Sequence, residues 1–272
     1  MEPRYPRYLP DPDASRDEME DLQRAVADAA VFTDEFTFDA DHVCRCSGGD
    51  GTDTDDADQT TLDGTRGTGG RNLPVVAGVD QAFLDDSAIS AVVCLRGGEV
   101  IERVHAVSEL AVPYIPGLLS FREGGPIVDA LAELDTDPDL LFFDGSGRIH
   151  FRQAGLATHM GVIFDCPSVG IAKSLLCGRP REPVDGRPEG WHTPILSDSD
   201  VDASDGRVIG YAYQSRQYAS SRKINPLYVS PGHRVSAETA VDLVSNCCAG
   251  YKLPEPTRLA DAYADEVKAD YA

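Results

Sequence analysis

Residues 75–107 read VVAGVDQAFLDDSAISAVVCLRGGEVIERVHAV. Apolar and β-branched residues crowd three runs, 75–83, 88–95 and 99–107, and the breaks between them, Asp85-Asp86-Ser87 and Arg96-Gly97-Gly98, carry turn chemistry. The segment predicts an antiparallel meander of three strands. Downstream the pattern changes. A helix near 126–134, a strand at 140–144, a helical stretch around 154–161 and a short strand at 168–172 alternate as strand–helix–strand units do. A meander followed by crossover strands predicts an α/β fold with one mixed sheet flanked by helices.

Working outward, residues 179–206 are rich in Pro, Gly and Asp and read as a surface loop holding Trp191 and His192, before strands at 208–214 and 226–230. Two helices follow, one around 236–248 and one after Pro256. Upstream, residues 15–30 suit an amphipathic helix that packs on the main body, with Ser15 and Glu18 spaced as a capping box. Residues 48–71, GGDGTDTDDADQTTLDGTRGTGGR, hold too few apolar groups to offset the entropy of ordering and read as a flexible acidic insertion. The expected organisation is an N-terminal extension over 1–47, the insertion over 48–72 and one catalytic domain over 73–272.

The formal charge of −22 over 272 residues would by itself argue against a polyanionic partner, since nucleic-acid affinity draws on cations that displace phosphate counterions. The kind of acidity alters that argument. Lysine occurs only at Lys173, Lys223, Lys252 and Lys268, the remaining cations are arginine, and aspartate is abundant, a pattern expected of a salt-rich cytoplasm. Near molar salt the screening length falls to about 3 Å, so distant carboxylates barely repel a duplex. Seven cysteines, with no paired zinc-ligand spacing, predict reduced thiols; His42, Cys44 and Cys46 form at most a weak metal motif. No apolar run reaches the roughly 20 residues of a spanning helix, and MEPRYPRYLPDPD lacks a signal-peptide core, so a cytoplasmic protein away from membranes is expected.

Two acids close apolar runs: Asp80 after VVAGV and Asp144 at the end of LLFFD. If those strands are neighbours, both carboxylates leave the sheet at the same end. Glu123 lies in VPYIPGLLSFREGGP, 112–126, where an aromatic, prolines, glycines and Arg122 are compressed together. Hard divalent cations prefer such oxygens, and magnesium needs only a few carboxylates because it keeps water and takes substrate oxygens. Singly, each acid equally suits a strand or helix terminus. Lys173, in GIAKSLLCG, would bring a positive charge to the same place. Pro113, Tyr114, Ile115 and Pro116 form a stiff apolar tip that suits insertion between bases, although the composition equally suits a kinked core segment.

Six blocks in order, VAGVD, PYIPGLLSFRE, FFDGSGRIHFRQAGLATHMG, PSVGIAKSLLCG, YVSPGH and GYKLPEPTRLAD, resemble the endonuclease V family of inosine-directed repair nucleases over roughly residues 73–267. The resemblance implies a ribonuclease H-like fold and a Mg²⁺-dependent endonuclease, with Mn²⁺ as a substitute. It further implies cleavage of deoxyinosine-containing DNA at the second phosphodiester 3′ to the lesion, leaving 3′-hydroxyl and 5′-phosphate ends. The implied catalytic and metal positions are Asp80, Glu123, Asp144 and Lys173, with Asp261 as a further ligand where other members carry histidine. The implied substrate positions are Pro113, Tyr114, Ile115, Gly117, Leu119, Arg122, Gly145, Gly147, His150, Gly155 and Leu156. YVSPGH could form a turn near the substrate. Phe151 and Gln153 depart from the proline and basic residue expected after His150. Inosine-containing RNA or branched and mismatched DNA are alternative targets, and a lesion-binding protein without turnover is the alternative from another class. Protein partners are unreadable.

Overall fold

The computed structural model describes residues 1–44, 73–218 and 223–271; the acidic insertion expected over 48–72 lies outside them. Strands β1 (Val75–Phe83), β2 (Ser87–Arg96) and β3 (Glu99–Glu109) form the expected antiparallel meander. Then come helix α2 (Leu119–Ala132), strand β4 (Leu140–Asp144), helix α3 (Leu156–Phe164) and strand β5 (Ser168–Ala172). Strands β6 (Arg179–Pro180), β7 (His192–Leu196), β8 (Val208–Tyr213) and β9 (Leu227–His233) precede helices α4 (Ala237–Asn246) and α5 (Glu255–Ala269). Helix α1 (Arg16–Ala29) begins with the capping box expected of Ser15 and Glu18. The nine strands make one mixed sheet in the order β3-β2-β1-β4-β5-β9-β8-β7-β6, with β1, β4 and β5 parallel neighbours.

Side-chain alternation on β1 sorts the layers. Val75, Ala77 and Val79 bury against Ile127 of α2 and Met160 of α3. Val76, on the opposite face, shares a core with Leu140, Phe142 and the α4 residues Val241 and Val244. Gly78 also faces that side, and a Cβ there would lie 2.0 Å from the Pro256 carbonyl oxygen, so α5 sits against β1 only because this residue is glycine. Phe142 and Phe143 are fully buried on opposite faces of β4, each worth about 1.5–3 kcal/mol of transfer free energy. The N-terminal segment crosses this body: His159 bonds the Tyr8 carbonyl at 2.7 Å, Val31 N–H donates to His233 Nδ1 at 3.1 Å, and Cys44 is disulfide-bonded to Cys247.

Four expectations need correction. Helix α2 starts at Leu119, seven residues before the predicted 126–134, so Glu123 is helical although Gly124, Gly125 and Pro126 follow it. A Cβ at Gly124 would stand 2.9 Å from both Met160 and Pro10, so packing demands the glycine that propensity penalises. The 179–206 stretch contains β6 and β7 rather than loop alone; they are short strands at the end of the sheet, where proline is tolerated. YVSPGH is the body of β9, not a turn. Reduced thiols were expected throughout, but Cys44 pairs with Cys247 across 203 residues, because the N-terminal segment reaches α4; Cys94, Cys166, Cys177 and Cys248 are free. That bond also removes Cys44 from the weak metal motif, and Cys46 lies outside the described residues.

Candidate active site

Parallel pairing places Val79 beside Phe143, so Asp80, within β1, lies next to Asp144 at the carboxyl end of β4. Ligand crevices in open α/β sheets form at such strand ends. Lys173 follows β5, the next strand over, and its Nζ lies 2.6 Å from Asp144 Oδ2. Glu123 arrives from the first turns of α2, above the opposite face. Asp80, Glu123, Asp144 and Lys173 line one cleft of about 380 Å³, joined by Tyr114, Leu119, Gly145 and Leu156. A larger cavity, of about 800 Å³, is lined by Arg4, Phe36, Asp139 and Arg234 and holds none of these groups.

The acids are in an unusual electrostatic state. Burial first, and then the charge of Asp144, push the Asp80 carboxyl up to about 8, even though Asp80 Oδ1 accepts from the Gln81 N–H at 2.7 Å. Its Oδ2 is buried with no hydrogen-bond partner among the described residues. Burial likewise pushes Glu123 up to about 7, against the pull of Arg122 and with Asp144 adding to the rise. For Lys173, burial opposes protonation, but Asp144, Asp80 and Asp261 outweigh it and raise the amine above its usual value. Carboxyls gathered closely enough to resist ionisation, one with an orphaned oxygen, match the needs of a hard divalent cation. No three His, Cys, Asp or Glu groups among the described residues stand already in metal-binding array, and one oxygen of Asp144 is taken by Lys173. Asp261 lies on α5, near enough to raise Asp80, but does not line the cleft.

Beside the carboxylates a recess of about 70 Å³ is lined by Tyr114, Gly117, Leu119, His150, Gly155 and Leu156, together with Gln23, which the sequence did not suggest. Tyr114 is 66% exposed at its rim, an unusual position for an aromatic ring. Pro113 is exposed, whereas Ile115 packs with Met19, Val112 and Phe121 beneath the loop. Arg122 Nη1 donates to the Val112 carbonyl at 3.1 Å and lies over the Phe83 ring, bracing this loop. Gly145 borders the larger cleft, while Gly147 faces away: a Cβ there would meet the Pro231 oxygen of β9 at 2.4 Å. His150 is buried, its Nε2 bonded to the Gly117 carbonyl at 3.0 Å, and desolvation lowers its pKa to about 4. His233 lies elsewhere, against Asp165 at 3.2 Å.

Residues 62–262 match the family described as Endonuclease V. The chain belongs to the endonuclease V family. It is 56% identical over 271 residues to the endonuclease V of Natronomonas pharaonis, covering 100% of this chain and 99% of the relative. The corresponding protein of Haloarcula marismortui is 58% identical over 272 residues, with 99% and 98% covered. Both are halophilic archaea, in keeping with the acidic composition. Among solved structures, endonuclease V from Streptomyces avermitilis superimposes with a TM-score of 0.73 at 27% identity, covering 100% of both chains. Human ENDOV gives 0.68 at 28% identity, covering 95% of this chain and 100% of that one. A Ciona intestinalis endonuclease V, solved with a 24mer DNA containing an inosine followed by a ribo-adenosine, shares the fold at a TM-score of 0.70 and 21% identity, with 94% and 98% covered. The mixed sheet is thus the ribonuclease H-like sheet of endonuclease V. As a member of this family the chain is a nuclease that hydrolyses DNA phosphodiester bonds. Among the described residues, no helix is long and apolar enough to cross a membrane.

Proposed function

We propose that this endonuclease V acts on deoxyinosine-containing DNA and cuts the second phosphodiester 3′ to the lesion, leaving 3′-hydroxyl and 5′-phosphate ends. The observation that carries the reading is the adjacency of a carboxylate cleft to a narrow recess lined by Gly117, Leu119, Gly155 and Leu156, with the exposed Tyr114 at its rim. Asp80, Asp144 and Glu123 would hold Mg²⁺, or Mn²⁺ in its place, with Asp261 near Asp80 on α5. When bound, the cation activates the attacking water and stabilises charge on the phosphoryl oxygens.

The chain's own residues do the rest. Lys173 turns from Asp144 towards the scissile phosphate and offsets its growing negative charge. A water oxygen bonds to phosphorus, giving up a proton to solvent, as the P–O3′ bond breaks, and the departing O3′ takes a proton from solvent. Tyr114, stiffened by Pro113 and Pro116, fills the gap left by the extruded base. Gly117, Leu119, Gly155 and Leu156 form the apolar part of a tight recess around that base. Hypoxanthine lacks the exocyclic amine of guanine, so a close wall at C2 admits one and rejects the other.

The test is cleavage of matched duplexes carrying inosine, a mismatch or no lesion, and of an inosine-containing RNA, with Mg²⁺ in molar potassium chloride. Inosine duplexes should be nicked selectively at the stated bond. Asp144→Ala should abolish nicking and retain duplex binding. Equal cutting of undamaged duplex would overturn the reading.

A further inference from the structure

Gln23 lies in the middle of α1, outside every motif that marks the family, yet it walls the recess and is 1% exposed. Its Nε2 donates to the Gly117 carbonyl at 2.9 Å, and its Oε1 accepts from Arg152 Nη1 at 3.1 Å. His150 Nε2 donates to the same carbonyl at 3.0 Å, while its Nδ1 accepts from the Arg152 N–H at 3.2 Å, which makes Nε2 the protonated ring nitrogen. Arg152 Nη2 is also paired with Glu20, three residues before Gln23 on α1, at 2.7 Å. Two donors, from positions 94 and 33 residues away in sequence, therefore converge on one carbonyl.

A carbonyl oxygen has two lone pairs, and both are taken here. The peptide after Gly117 cannot rotate without breaking two buried hydrogen bonds. Gly117 itself sits at φ +80°, where backbone freedom is greatest, so the clamp falls on the residue most able to swing. Ser120 also lines the recess, and its hydroxyl is buried without a partner among the described residues. Of the long side chains, an amide is the one that supplies a donor to Gly117 and an acceptor to Arg152 at once.

We infer that Gln23 is a positioning residue for base capture: by fixing the Gly117 peptide it sets the wall against which an extruded base is read, and it makes α1 part of the binding site. This rests on the deoxyinosine reading above. Gln23→Glu keeps shape and the Arg152 contact but turns an oxygen towards the Gly117 carbonyl. Gln23→Leu keeps bulk and removes both bonds. Arg152→Ala leaves Gln23 in place but frees its amide.

Full-length variants would be compared on inosine and undamaged duplexes, with 2-aminopurine beside the inosine reporting base extrusion in an Asp144→Asn background. For Gln23→Glu and Gln23→Leu, KM for inosine duplex should rise about tenfold or more, with kcat nearly unchanged and the 2-aminopurine signal lost. Arg152→Ala should show the same split more weakly. A purely structural role would instead lower the active fraction, and with it kcat, at unchanged KM. Wild-type KM and extrusion in the Gln23 variants overturn the inference, as does a fall in kcat alone. If the Gln23 variants lack a cooperative unfolding transition, Arg152→Ala decides by the same KM criterion. Failure of the wild type to prefer inosine would sink the deoxyinosine reading itself, a result distinct from either.

Discussion

Lys173 Nζ sits 2.6 Å from Asp144 Oδ2, so the amine at the cleft and the carboxylate it neutralises leave neighbouring parallel strands. The amine competes with any cation for that oxygen, and it is also the group nearest to hand for a scissile phosphate. Lys173→Ala should therefore move two quantities in opposite senses. Turnover falls about 10²- to 10³-fold, as for loss of one transition-state stabiliser, while Mg²⁺ binding is equal or tighter. Single-turnover cleavage and a Mg²⁺ titration of thermal stability separate the two effects; weaker metal binding would show that Lys173 supports the cation instead of competing with it.

Asp80 gives a stability prediction with a definite sign. Its folded pKa, about 8, lies above the ordinary 3.8, so its favourable contribution is complete below the ordinary value and is lost as pH rises towards 8. At neutral pH the buried carboxyl therefore destabilises the metal-free protein. Asp80→Asn should raise Tm in chelator by several degrees, roughly what a kcal/mol or two gives at this size, and should abolish the Tm increase that Mg²⁺ produces in the wild type. A lower Tm for Asp80→Asn in chelator would contradict this account.

Acid acts the other way on His159, which is fully buried beneath Tyr8 with its pKa lowered by desolvation to about 4. Its neutral form is stabilising above the ordinary 6.5, and that contribution drains as pH falls from 6.5 to 4, by about 1.4 kcal/mol per unit at most. Asp80 and Glu123, already largely protonated in the folded state over this window but ionised in the unfolded chain, add stability as pH falls and mask the loss, so the difference between wild type and His159→Gln is the informative quantity. The stability gap between them should narrow steadily on acidification, as read by denaturant titration at three pH values. A constant gap would mean that His159 does not titrate on unfolding.

Tyr114, two-thirds exposed, adds little to the core. Tyr114→Ala should leave Tm within a degree or two and weaken cleavage of inosine duplex about tenfold, through loss of stacking. The deficit should shrink on single-stranded inosine substrate, where no partner strand has to be displaced. Equal losses on both substrates would remove Tyr114 from the wedge.

Much of this was legible in the chain itself, for identifiable reasons. The apolar runs and turn residues through 75–107 set the meander, and acids closing the apolar runs VVAGV and LLFF marked Asp80 and Asp144, because a buried strand seldom carries a carboxyl without a partner for it. The start of α2 was hidden, since Gly124 and Pro126 are poor helix formers that tertiary packing overrides. Strands β6 and β7 were hidden by proline and glycine that only a sheet margin tolerates. Pairing of Cys44 with Cys247 follows from a path through space that no spacing encodes. Gln23 drew no reading as a polar residue in an amphipathic helix; the available signal was its place between Met19 and Val26, on the buried face of α1.

The anchors of the first 44 residues lie far along the chain: Tyr8 on His159, Gln23 on Gly117, Val31 on His233, Cys44 on Cys247. During synthesis those partners leave the ribosome one after another, the last of them, Cys247, 203 residues after Cys44. The leading segment therefore docks in stages, and the recess gains its Gln23 wall only after Gly117 has emerged. A nascent polypeptide halted at β5 would already carry Asp80, Glu123 and Asp144 with the partners of Tyr8 and Gln23, yet lack the later strand and helix that hold Val31 and Cys44 in place.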